Sequence, residues 1–65
     1  MKTAQEVGKR LQALRGTQRL EAVAVAVGVS PQALEAYEAG QRLPRDDVKI
    51  RLADYYRQDI AELFF

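Results

Sequence analysis

The run Gly28-Val29-Ser30-Pro31-Gln32-Ala33-Leu34-Glu35-Ala36-Tyr37-Glu38-Ala39-Gly40 constrains this chain more than any other stretch, because it holds a helix stop, a helix start and a second stop in close succession. Gly28 tolerates the positive φ that closes a preceding helix, Ser30 offers a side-chain oxygen to the first free N–H groups of the next one, and Pro31 fits its first turn. Gly40 then ends it. The spacing predicts a short helix over about 31–39, one tight turn after another apolar helix.

The remaining punctuation divides the chain just as sharply. Thr3-Ala4-Gln5-Glu6 has the Thr-x-x-Glu form of a capping box, with Val7, Leu11 and Leu14 following at helical spacing, so the first helix is expected over about 4–15. Gly16 and Thr17 break it. Val23-Ala24-Val25-Ala26-Val27 alternates like a strand, but Ala is a poor strand residue, no second strand is available to pair, and Leu20, Val23, Ala24 and Val27 form a helical stripe. Arg19 to Val27 is therefore read as the second helix. After Pro44 and Arg45, Asp46 or Asp47 caps a fourth helix to about Tyr56, with Val48, Leu52, Tyr55 and Tyr56 as core positions. Asp59-Ile60-Ala61-Glu62 opens a last turn, and Leu63-Phe64-Phe65 closes the core. The expected class is all-α.

Sixty-five residues make one domain, 1–65, with a core near the lower limit for independent folding. With no Cys and no His, the chain has no disulfide, no thiolate metal site and no ready nucleophile–base pair. No enzyme activity, cofactor, metal or small-molecule substrate is expected. No apolar run reaches the roughly 18 residues of a membrane span, and the amino end lacks the apolar core of a signal peptide, so the reading is a soluble, cytoplasmic chain with no membrane partner.

A helix started by Ser-Pro and stopped by Gly, one tight turn after another short helix, is the layout of a helix-turn-helix whose second helix enters the DNA major groove. Net charge is only +1, but its distribution is uneven. Residues 1–32 carry five basic and two acidic side chains, and residues 33–65 carry five and seven. No acid lies from Lys9 to Arg19, or between Gly40 and Arg45, the two stretches that flank the proposed reading helix. On a helical wheel Leu34, Tyr37 and Ala33 face inward, leaving Gln32, Glu35, Ala36 and Ala39 outside. Gln32 is the first candidate for a base contact, since its amide matches adenine N6 and N7. Ala36 suits a thymine methyl, Glu35 accepts from cytosine N4 or repels phosphates, and Pro31 lies at the same end of the helix. Ser30, Gln18, Arg19, Gln41, Arg42 and Arg45 are the phosphate candidates.

Leu11-Gln12-Ala13-Leu14-Arg15-Gly16, Val23-Ala24, Gly28-Val29-Ser30 and Leu34 with Tyr37-Glu38-Ala39-Gly40 resemble the Cro/phage-repressor-type, or XRE-like, helix-turn-helix family. Pro44-Arg45-Asp46, Lys49-Ile50, Leu52-Ala53-Asp54-Tyr55-Tyr56 and Glu62-Leu63-Phe64-Phe65 continue the correspondence, which covers nearly the whole chain. The resemblance implies a compact five-helix, lambda-repressor-like domain from a transcriptional regulator, often a repressor that binds a palindromic operator as a homodimer. It also implies an ion pair between Arg15 and Glu38 joining the first and third helices. Three departures stand out. Arg19 and Leu20 occupy positions where the family usually has Ser or Thr followed by Gln or Arg, so Gln18 and Arg19 take over that phosphate contact. Arg57 stands where the family often ends its fourth helix with Gly. Ala22, Val25 and Ala36 occupy outward positions usually polar, and with the absence of Asn, Trp, Cys and His this is the pattern of a designed sequence on the family's backbone.

The alternative function is a protein-interaction or dimerisation module that keeps the fold without binding DNA, because fold alone does not set function. Its support is the apolar exposure expected at Ala22, Val25 and Ala26, the near-neutral charge and the alanine-rich reading face.

Overall fold

Thr3 begins the first element in the way its spacing predicts. In the computed structural model, which describes residues 2–65, Thr3 Oγ1 accepts the Glu6 N–H at 3.1 Å and the Glu6 carboxylate accepts the Thr3 N–H at 3.0 Å. The backbone bond from Thr3, reinforced by its hydroxyl, holds the Glu6 carboxyl below its usual range. Helix α1 (Ala4–Arg15) follows, then α2 (Leu20–Val27), α3 (Pro31–Glu38), α4 (Asp46–Tyr56) and α5 (Ile60–Phe64). The fold is all-α, with no strand among the described residues.

Three helices end in the same closure. After α2, the Gly28 N–H donates to Val25 O at 3.2 Å and the Val29 N–H to Ala24 O at 3.0 Å, with Gly28 at φ 83°. After α3, Gly40 at φ 75° and Gln41 repeat these bonds to Tyr37 O and Ala36 O. After α4 the left-handed residue is Arg57 at φ 55°, the one non-glycine positive φ among the described residues. All three are the paired carbonyl closure that favours glycine. Replacing Arg57 by Gly relieves a strained side chain at some cost in unfolded-chain entropy. Arg57→Gly should therefore stabilise by about 0.5–1 kcal/mol and raise the Tm by about 3–6 °C in a thermal melt.

The core brings together Val7 and Leu11 of α1, Val23, Ala24 and Val27 of α2, Leu34 and Tyr37 of α3, Val48, Leu52 and Ala53 of α4, and Leu63 and Phe64 of α5. Leu14 and Leu20 pack at its edge. α1 lies chiefly on α3, and α2 is held between α3 and α4. Gly8 allows the first of these contacts: a Cβ there would lie 2.6 Å from Glu38 O and 2.7 Å from Tyr37 O.

Four expectations are corrected. Arg19 is the N-cap of α2, not its first helical residue, and makes no side-chain cap bond. Arg45, not Asp46 or Asp47, is the N-cap of α4. The two aspartates are its first helical residues, where their carboxylates favour the positive end of the helix and face Lys49 at 3.8 Å and Arg51 at 3.5 Å. Tyr55 is 37% exposed, and its hydroxyl donates to Gln18 Oε1 at 2.6 Å in the turn between α1 and α2. Phe65 is 49% exposed. It lies beyond the end of α5, with the Lys49 ammonium 4.7 Å from its ring centre, and Leu63 and Phe64 alone close the core there.

Tyr56 sits at the core edge with its hydroxyl buried and unpaired among protein groups. Burial first, and the nearby Glu38 charge second, push its phenol up to about 12. The folded state therefore keeps a proton that the unfolded chain releases from its ordinary value near 10 upward. The associated stability is complete below that value and is lost as the pH rises through about 12. Tyr56→Phe should flatten this alkaline loss in urea melts across pH. It should also stabilise the neutral-pH protein by about 1 kcal/mol by deleting an unpaired buried hydroxyl.

Candidate nucleic-acid interface

The α2–turn–α3 unit is built by the local signals described above. Ser30 Oγ accepts the Ala33 N–H at 3.0 Å, which leaves its hydroxyl proton free to donate at the opening of α3. Leu34 and Tyr37 bury the inner side of α3, so Gln32, Glu35 and Ala39 are exposed and Pro31 and Ala36 are half-buried. All four sequence-predicted base contacts thus lie on one short helix. Gln32 and Glu35 keep their side chains in solvent.

The phosphate candidates fall into two groups. Gln18 and Arg19 are exposed in the turn between α1 and α2, where Gln18 O also accepts from Arg15 Nη1 at 2.7 Å. The bond from Tyr55 to Gln18 Oε1 orients the Gln18 amide and leaves its NH2 free to donate. Gln41, Arg42 and Arg45 are exposed in the segment between α3 and α4. Arg42 lies over the Tyr37 ring at 5.5 Å, an arrangement that holds its guanidinium against α3.

Ser30, Arg42 and Arg45 border one open cleft of about 520 Å³ between the turn, α3 and α4. Gln18, Arg19 and Gln41 lie outside its lining. Arg51 joins the cleft from α4, and sequence reasoning missed it. Its Nε donates to Val27 O at 2.8 Å, so it ties the C-terminal end of α2 to α4 while its outer nitrogens reach solvent. The one available signal was its spacing four residues after Asp47, a pairing masked by the reading of Asp47 as a cap.

On the opposite side of α3, Arg15 and Glu38 form the ion pair that the resemblance implied. Nε donates to Oε2 at 2.8 Å and Nη2 to Oε1 at 3.0 Å. Their side chains are 19% and 5% exposed. The Glu38 hydrogen bond raises the already high pKa of the Arg15 guanidinium. It holds α3 against α1 rather than offering Arg15 to a ligand.

Among the described residues no helix is long and apolar enough to cross a membrane. The profile of a protein family described as a helix-turn-helix domain matches residues 6–63 of the chain. No curated protein and no solved structure matches it.

Proposed function

We infer, from the fact that this chain belongs to the helix-turn-helix domain family, that it binds double-stranded DNA sequence-specifically, with α3 in the major groove. Residues 1–65 then form a single DNA-binding domain of the Cro/phage-repressor type, acting in transcription regulation as a homodimer on a two-fold site. The observation that carries this reading is the side of α3 that exposes Gln32 and Glu35, followed by the acid-free segment 40–45 with exposed Arg42 and Arg45 and preceded, across α2, by exposed Arg19. Gln32 and Glu35 read base edges, while Ala36 and Pro31 let the helix approach closely. Ser30, Gln18, Arg19, Gln41, Arg42 and Arg45 contact phosphates on either side.

Fluorescence anisotropy with a labelled duplex tests this. If Arg19, Arg42 and Arg45 each neutralise one phosphate, log K should fall against log salt with a slope of roughly −2.7 per protomer. On a site selected from a random pool, Gln32→Ala should cost on the order of 1–3 kcal/mol and relax preference at one base position. Equal loss on every sequence would remove the base-reading role. A second reading is favoured by Val25, which is 80% exposed between exposed Ala22 and Ala26 on α2. In that reading this face binds protein. Absence of any duplex complex at low ionic strength, together with self-association that Val25→Lys abolishes, would select it.

A further inference from the structure

The cleft beside α3 has an uneven charge for so small a surface. Arg42, Arg45 and Arg51 border it, and no carboxylate is among its lining residues. Its remaining wall is largely apolar, with Val29 and Val48 at the turn and on α4. Just outside stands Asp47, with Oδ1 3.7 Å from Arg45 Nε and Oδ2 3.5 Å from Arg51 Nη1. Both contacts are longer than a charge-assisted hydrogen bond of good geometry. Asp47 therefore offsets the charge of two cations without engaging either in a bidentate pair. A phosphate oxygen entering the cleft would exchange those long contacts for short ones, and Arg51 is already braced for it by its bond to Val27 O.

We propose that the cleft bounded by Arg42, Arg45 and Arg51 seats one phosphate group of a bound duplex, and that Asp47 sets how tightly it is held. Arg51 is then a phosphate-binding residue and Asp47 an attenuator that competes for the same guanidiniums. The source of the phosphate rests on the DNA-binding reading; the chemistry of the cleft does not.

The test compares the wild-type protein with Asp47→Asn, Arg51→Met and Arg51→Lys. Each is checked for helix content by circular dichroism, because Arg51 also braces α2. With a labelled duplex at low salt, Asp47→Asn should bind about fivefold tighter, the factor for removing one exposed charge contact. Arg51→Met should make the salt slope shallower by about 1, and Arg51→Lys should restore it. Inorganic phosphate, titrated into isotope-labelled protein, should shift the arginine Nε–H signal of Arg51. Tight duplex binding with slope and affinity unchanged in Asp47→Asn and Arg51→Met would overturn the proposal while leaving DNA binding intact. No duplex binding, with inorganic phosphate still shifting Arg51, would keep the cleft as a phosphate seat and assign it to a free phosphorylated ligand. Neither duplex binding nor a phosphate-induced shift would overturn the seat and the DNA reading together.

Discussion

Glu38→Ala should leave a large fraction of the protein unfolded at room temperature, visible as an early urea transition in far-UV circular dichroism. The substitution strips a bidentate partner from Arg15 in a place where the Glu38 side chain is only 5% exposed. Removing one member of a buried pair costs about 3–5 kcal/mol, because the remaining charge keeps its desolvation without its compensation. Arg15 is 19% exposed and still bonds to Gln18 O, so some of its charge is relieved by solvent and backbone. The expected loss lies near the lower end, about 3 kcal/mol. A core of this size rarely supplies more than about 3–5 kcal/mol in total, so that loss is comparable to the whole stability. Glu38→Gln, which keeps an acceptor for Arg15, should lose less. Arg15→Met combined with Glu38→Leu should recover most of the stability, since an apolar pair removes both desolvation costs. A double variant as unstable as Glu38→Ala would show that the cost came from lost packing, not from the stranded charge.

Gly8→Ala should also destabilise, against the helix-propensity expectation. In an exposed helix interior this change would gain about 1 kcal/mol. Here the added Cβ would meet Glu38 O at 2.6 Å, Tyr37 O at 2.7 Å and Glu38 C at 3.0 Å, all backbone atoms. No rotamer change clears a carbonyl, so α1 and the end of α3 must separate. Overpacking of a tight core costs about 1–3 kcal/mol, and a backbone obstacle puts the net effect near about 2–3 kcal/mol in a denaturant melt. The same shift moves α3, so duplex affinity should fall even under conditions where Gly8→Ala remains folded. A stabilised Gly8→Ala protein would mean that α1 and α3 are not as close as described.

These two sites share a helix contact that the chain announces only in part. The Arg15–Glu38 pair was reached through family resemblance, not through spacing, because a separation of 23 residues carries no local signal. Gly8 offered a weak clue: a glycine inside a run of good helix formers often marks a close approach. The candidate interface shows the same division. Ser30, Arg42 and Arg45 could be nominated by their positions around α3. Arg51 could not, because its place in the cleft depends on how α4 crosses the end of α2. Tyr55 and Phe65 were misplaced for a related reason, since an apolar residue at a helical period is buried only if another element lies over it.

What the amino-acid order determined by itself is the set of helices and, to within a residue or two, their ends. Capping oxygens, a proline in a first turn and residues at positive φ act on backbone groups within a few residues, so their energetics are local and legible in one dimension. The tertiary structure alone decided which faces meet, how closely Gly8 admits α3, and which arginines border a common cleft. Those outcomes depend on packing and on charges brought together from distant parts of the chain, and neither leaves a short-range trace.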